Sequence, residues 1–473
     1  MPAFLNKFIK TKLFPILIFC LALFLRIYHL NLIYTFTADE EYQTDIAMTL
    51  VKHLHLIWIG VNAANTGFYL GPFWSYFTAF WLFLSHGDPL ITAYVAAIIG
   101  AITCAVIFYV GSKMFSFRVG LVTSILYACL PLIVFFDQKY WNPTTVPLLA
   151  VTMLYSLYKV KDNQKFWLLF ALAYGLVFHA HLSLVPFIVL ALYQLRKGIK
   201  IKVFAQSALV FILTISPLIV FDYFHKWSNI TTILRLKQIA SAMHPSSFSK
   251  MQSLAESIMR LWYLNPHTIT ANEILFICSK YRSFPSLVSL PFIILILIFF
   301  FTKNTWLKEN SRILALGILL IASSYVFFPE SSSEYYLLGL FPLLLFIPGI
   351  IWNKYISPLL IVIICSLGIF SVLTAYNPYG LSVKKEIVSS VMSKIGNKTY
   401  ELNEEGVCHK YEGWRYLFAT YGKAPERSNI DSNFGWLYPN EIHNGPVNYS
   451  VTITGHDTNP LGFSTQILKN SNK

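Results

Sequence analysis

The chain has 473 residues, of which 56% are hydrophobic, 16% aromatic and only 12% charged, and its mean hydropathy is +0.56. A soluble domain carries about twice that share of charge, so a water-soluble globular protein is excluded and a polytopic membrane protein is indicated. The formal net charge of +14 is explained by basic cytoplasmic loops beside anionic headgroups, and it does not indicate a nucleic-acid partner.

In chain order, Lys7, Lys10 and Lys12 precede the first apolar run. That run is long and no small-residue cleavage site follows it, so it reads as a first transmembrane helix and not as a signal peptide. A span needs about 20 mostly apolar residues. Spans are predicted at 13–33, 89–110, 118–137, 144–160, 165–180, 183–196, 203–221, 286–302, 311–328, 335–351 and 355–376. The stretch 72–84 is also apolar, but it is short and opens on Gly71-Pro72.

Loop charge decides whether 72–84 crosses. If it does not, and the N-terminus is inside, the short basic loops all fall on the cytoplasmic side, from Lys113 and Arg118 through Lys159, Lys161 and Lys165 to Lys354. If it crosses, every later loop flips outward. The expectation is eleven spans in the plasma (cytoplasmic) membrane, N-terminus inside and C-terminus outside. The segments 34–88, 222–285 and 377–473 then face outward. The last is rich in Asn, Gly, Tyr and Glu, with strand-like alternation in "VNYSVTITG". The predicted fold is an all-α polytopic membrane domain (1–376) followed by a small α+β soluble domain (377–473).

Cys20, Cys104, Cys129 and Cys365 lie in apolar runs and read as small hydrophobes. Cys278 and Cys408 fall in polar regions, and their spacing leaves a bond between them open. There is no CxxC pair. Asn229, Asn397 and Asn448 head N-x-S/T sequons.

The first outer segment holds "TADEEYQTDIAMTLVKHLHLIW". Tyr42, Ile46, Leu50 and Leu54 recur at helical steps, with Glu41, Asp45 and Lys52 on the other face. This predicts an amphipathic helix on the outer membrane surface, its acids solvated. Thr37-x-x-Glu40 matches a capping box, in which the hydroxyl takes a helix amide and Glu40 reaches back to the Thr37 amide. The acids are therefore either the opening turn of a helix or the chemistry. A second surface segment, "NTGFYLGPFWSYFTAFWLF", is aromatic and glycine-rich, and the two would wall a cavity at the membrane face.

From "LRIYHLNLIYTFTADEEYQTDIA" through "GFYLGPFWSYF", and on to the basic loop "SKMFSFRVG", the chain resembles the GT-C superfamily of polyprenyl-phosphate-sugar-dependent glycosyltransferases. Within it the similarity is to the protein O-mannosyltransferase and aminoarabinose transferase group. The resemblance covers roughly residues 10–375. It implies an Asp-Glu motif in the first outer loop, with Asp39 as general base and Glu40 its neighbour. The implied reaction moves a sugar from a polyprenyl-phosphate donor to an acceptor hydroxyl of protein, lipid or glycan, with inversion.

Such a reaction wants cations or amides facing the leaving phosphate. The candidates are Arg26, late in the first span; Lys139 in "FFDQKYWNP", beside Asp137; His179 and His181 in "FHAHLSLVP"; and Arg235, in an exposed basic cluster with His225, Lys226 and Lys237. The histidine pair reads as a polar turn, as phosphate donors, or as ligands of a divalent metal. The implied relatives generally need no metal, so no cofactor is assigned. Tyr69, Tyr335 and Tyr336, the last two beside Glu330 and Glu334, are candidates for the acceptor site or cavity wall. A transporter or lipid flippase would show internal repeats and mid-membrane charge, which are not apparent. An O-antigen-type ligase would centre on a late outer loop.

Overall fold

The computed structural model describes residues 13–63, 66–239, 247–262, 289–327, 333–352, 354–457 and 460–470. Lys7, Lys10, Lys12, Cys278, Glu330 and the side chain of Lys237 lie outside the described residues.

The chain is mostly helical. Helix α1 (Phe14–Ile27) opens the bundle, followed by α2 (Ala38–His53) and α3 (Phe73–Leu84) in the first loop. The bundle continues with α4 (Leu90–Met114), α5 (Phe117–Cys129), α6 (Pro131–Gln138), α7 (Val146–Lys159), α8 (Phe166–Ala180), α9 (Phe187–Leu195) and α10 (Ile201–Phe224). After α11 (Ser228–Ile239) and α12 (Ser247–Trp262) come α13 (Leu290–Phe301), α14 (Glu309–Phe327), α15 (Leu340–Leu344), α16 (Phe346–Ile350) and α17 (Ile356–Leu373). A helix or a pair of short helices therefore stands at each predicted span. Four of them are individually long and apolar enough to cross a membrane, or five if α5 and α6 form one broken span. Helix α3 has 12 residues, about 18 Å at 1.5 Å per residue, which is too short for a hydrocarbon core of about 30 Å.

The bend between α5 and α6 is 65°, and its cause is chemical. Pro131 has no N–H to give the Tyr127 carbonyl four residues earlier. The guanidinium of Arg26 supplies the missing donors, bonding the Tyr127 carbonyl at 3.2 Å and the Ala128 carbonyl at 3.3 Å. It also forms a buried ion pair with Asp137 at 2.7 Å, and Gln138 Nε2 donates to the Arg26 carbonyl at 2.8 Å. Gly100 on α4 makes room for this pair, since a Cβ there would stand 2.5 Å from the Asp137 carboxylate.

The C-terminal unit has the expected α+β character. Its strands β1 (Tyr400–Glu405), β2 (Arg427–Ser428), β3 (Tyr449–His456) and β4 (Gly462–Lys469) form one sheet in the order β2-β1-β3-β4. β1 pairs in parallel with β2 and β3, and β3 with β4 antiparallel. Leu402 lies opposite Val451, and both point inward. Helices α18 (Leu381–Ile395) and α19 (Trp414–Tyr421) cover that face. The core they build also takes in Tyr34, Phe36, Trp74, Ala93 and Tyr140, so one apolar cluster joins the sheet to the first loop and α4.

The Arg26–Asp137 pair should be costly to break singly. Arg26→Met or Asp137→Leu alone would each strand a buried charge, at about 3–5 kcal/mol. The double substitution should recover most of the loss. Thermal unfolding of the detergent-purified variants measures this, and additive Tm losses in the double variant would contradict it.

Candidate functional site

The site is built at the start of α2, after a strained turn. Phe36 is fully buried with φ of 54°, a left-handed conformation rare for a bulky residue. The ammonium of Lys384, itself fully buried on α18, holds this turn. It donates to the carbonyls of Thr35 at 2.7 Å, Phe36 at 3.1 Å and Glu412 at 2.8 Å, and it pairs with the Glu412 carboxylate. The Ala38 amide donates to the Tyr411 carbonyl at 3.1 Å. The C-terminal unit thus fixes the direction in which α2 starts.

The capping box is present. Glu40 Oε2 accepts from the Thr37 amide at 3.0 Å and from the Thr37 hydroxyl at 2.6 Å. Glu40 is wholly enclosed, and burial pushes its carboxyl up against the pull of Lys139. Asp39 is different. Its side chain is 61% exposed, and Lys139 Nζ stands 3.5 Å from its Oδ2 and 4.0 Å from Glu40 Oε1. Lys139 directly follows the segment that Arg26 anchors through Asp137 and Gln138.

From Lys139 an aromatic wall extends. Its ammonium lies 4.2 Å from the Trp141 ring centre, and Trp141 is 4.6 Å from Tyr335. His181 packs on Tyr335 at 5.5 Å and on Tyr336 at 4.8 Å. His181 Nδ1 accepts from the Ser183 amide at 3.2 Å, which puts the proton of the neutral ring on Nε2. Glu334, at the head of the tyrosine pair, holds Arg260 of α12 at 3.2 Å. Asp39, Glu40, Lys139, His181, Tyr335 and Tyr336 are thus linked by a run of contacts.

Other expected site residues are placed elsewhere. Arg26 is fully buried with its donors committed to Asp137 and to backbone carbonyls, so it is not available to a lipid phosphate. His179 is spent on backbone. Its Nδ1 accepts from the Phe73 amide at 3.2 Å and its Nε2 meets the Thr214 carbonyl at 2.8 Å. Gly71 allows this approach, because a Cβ there would stand 2.2 Å from the imidazole. With both nitrogens occupied, His179 is neither a phosphate donor nor a metal ligand. Among the described residues no group of three His, Cys, Asp or Glu side chains is arranged to hold a metal. Arg235 is exposed on α11. Tyr69 is half-buried and clasped by Asn229, whose amide both donates to and accepts from its backbone at 3.2 and 2.9 Å. Asn229 is therefore buried by this contact and is not a displayed sequon.

Helix α2 is also more enclosed than its pattern suggested. Glu41 is 1% exposed and accepts from the Tyr416 amide at 3.2 Å. Burial raises its carboxyl to about 7, while Lys384 and Arg415 pull the other way. Asp45 is pushed well above the usual carboxylate value, by burial first and then by the charge of Glu41. The face expected to be wet is covered by α19. Sequence reasoning missed Lys384 and Arg260, because no local motif marks a cation that bonds the Thr35 carbonyl 349 residues away, or one whose carboxylate partner is Glu334 on another element.

No protein-family model and no curated protein matches the sequence. Solved structures do resemble it. ArnT from Cupriavidus metallidurans bound to undecaprenyl phosphate is 12% identical, with 94% of each chain covered and a TM-score of 0.64. The apo form of that protein gives 12%, 93% of each chain and 0.59. The apo oligosaccharyltransferase of Archaeoglobus fulgidus gives 12% and 0.51, covering 94% of this chain and 70% of its own. The likeness is one of fold: this chain has the GT-C fold, as its first-loop motifs implied.

The enclosed Glu41 predicts a pH effect with a definite sign. Its folded pKa of about 7 lies above the usual 4.5, so the folded state holds a proton that the unfolded chain releases. That contribution is fully present below about pH 4.5 and is lost as the pH rises through 7. Glu41→Gln needs no proton and should therefore stabilise the protein by roughly 1–3 kcal/mol at pH 8 and by little at pH 4.5. Melting curves at the two pH values test this, and an equal shift at both would refute it.

Proposed function

We propose that the chain is an integral-membrane glycosyltransferase that moves a sugar from a polyprenyl phosphate to an extracytoplasmic hydroxyl, with inversion. The observation that carries this reading is the exposed Asp39 carboxylate, held 3.5 Å from the Lys139 ammonium at a helix start that is otherwise enclosed. The fold supports it, and so does the undecaprenyl phosphate bound to the similarly folded ArnT.

In the proposed step the acceptor oxygen attacks the anomeric carbon from the face opposite the phosphate, as Asp39 takes its proton. One carbon–oxygen bond forms, the bond to phosphate oxygen breaks, and the electron pair leaves with the phosphate. Lys139 and the Nε2–H of His181 are the groups proposed to meet that charge, with Arg235 at the outer edge. Tyr335 and Tyr336, packed on His181, are proposed to wall the site on that side. Glu40 does not touch the acceptor; its carboxylate ties the first turn and so aims Asp39.

The orientation proposed is N-terminus inside, with 1–376 as the membrane domain and 377–473 outside. Cys408 is disulfide-bonded, which favours an oxidising compartment for the C-terminal unit.

Asp39→Asn keeps size and fold and should lower transfer at least ~100-fold. Thr37→Ala should remove about 1 kcal/mol of local helix stability and only part of the activity. Transfer from synthetic polyprenyl-phosphate sugars by purified protein tests both, and full activity in Asp39→Asn would reject the assigned base.

A further inference from the structure

Where the C-terminal unit closes over α2 it leaves a cavity of about 330 Å³, which Asp39 and Lys139 do not line. It begins two turns further along the helix. Asp45, Thr49 and Lys52 face it from α2, and Arg415, Thr420 and Asn440 from the C-terminal unit. Its size is at the lower end of small-molecule sites.

The charges in the lining decide what it can take. Lys52 is paired with Glu441 at 3.1 Å, and Arg415 with Asp431 at 3.2 Å. Arg415 also lies flat on the Tyr438 ring at 4.3 Å. Each of these cations already faces a carboxylate, so a phosphate would have to compete with Glu441 and Asp431 for them. Its lining mixes polar and apolar groups, which suits an amphiphilic ring better than an acyl chain. What remains is a mixture of hydroxyl, amide and carboxylate groups beside the apolar surfaces of Met48, Tyr416 and Leu437. Asp45 has no hydrogen bond or ion pair to any described residue. Thr49 spends its proton on the Ile46 carbonyl at 2.8 Å, which leaves its oxygen free to accept. Acceptors that converge over an apolar floor suit a ring carrying several hydroxyls.

A second observation points the same way. Tyr42 lies three residues from both Asp39 and Asp45 on α2. The C-terminal unit sets Phe434 and Trp436 beside it, each ring centre 6.1 Å away. Trp436 is 63% exposed. Its open ring face stands beside Tyr42, where the C–H face of a sugar can stack on it. Asp39 and Asp45 are about 9 Å apart along the helix axis, so the aromatic cluster bridges the carboxylate and the cavity.

We infer that the acceptor is a glycan. One sugar unit sits in the cavity with a hydroxyl on Asp45, the next lies on Trp436, and the reacting hydroxyl reaches Asp39. The last clause rests on the transferase reading; the saccharide site itself does not.

Saturation-transfer NMR on the full chain in nanodiscs tests this, with cellotriose, maltotriose, mannotriose and chitotriose as probes. At least one should receive saturation from the wild type. Thr49→Trp, which fills the cavity, and Trp436→Ala, which removes the platform, should each weaken its binding at least fivefold. Undecaprenyl-phosphate binding and Tm, measured on every variant, report folding. No saturation transfer to the wild type, or transfer undiminished in both folded variants, overturns the inference. Saccharide binding with the expected variant pattern, but without binding of undecaprenyl phosphate, upholds the saccharide site and overturns the donor reading.

Discussion

The site depends on one buried ammonium. A lysine taken out of water costs several kcal/mol unless its charge and donors are met. Lys384 meets them with the Glu412 carboxylate and three backbone carbonyls, two of which belong to the turn before α2. Against the upward push of burial, Lys384 and His409 hold the Glu412 carboxyl below its usual value. The network is complete only when α18, the loop around Glu412 and residues 35–36 are all in place. The strained Phe36 conformation persists because releasing it would strand the ammonium. The C-terminal unit is thus part of the scaffold that aims Asp39, as well as a cover over Glu41.

Lys139, opposite Asp39, is fixed by a second buried cation. Arg26 repairs the carbonyls freed by Pro131 and clamps Asp137 and Gln138. That repair sets where α6 ends, and Lys139 is the next residue. A carboxylate positioned from the C-terminal unit and an ammonium positioned from the first helix meet at 3.5 Å. Neither clamp touches the Asp39 carboxylate or the Lys139 ammonium, yet each locates one of them.

Much of this was legible in the sequence. Hydropathy marked the helical stretches, and loop charge kept 72–84 from being counted as a span. Thr37 and Glu40 announced their own capping box, because both ends of that interaction lie within four residues. The strand alternation around Val451 and Ile453 was equally local. What periodicity could not carry was the partner of each charge. Arg26 and His179 looked like free polar groups at a membrane surface, and only tertiary packing shows that a carboxylate 111 residues away and two backbone segments consume them. Glu41 and Asp45 looked wet for the same reason: the helix that covers them, α19, begins at Trp414.

Four carboxylates lie within seven residues at the head of α2, and such crowding should repel. The structure resolves it by giving each a different fate. Glu40 is spent on the cap and faces Lys139. Glu41 and Asp45 are pushed by burial toward their neutral forms. Asp39 alone combines exposure with a cation close by. The helix dipole favours negative charge in the first turn, where Asp39 and Glu40 stand, and weakens towards Asp45. Two carboxylates, Asp39 and Glu40, therefore share the Lys139 ammonium at the helix start, in spite of four acids in the sequence.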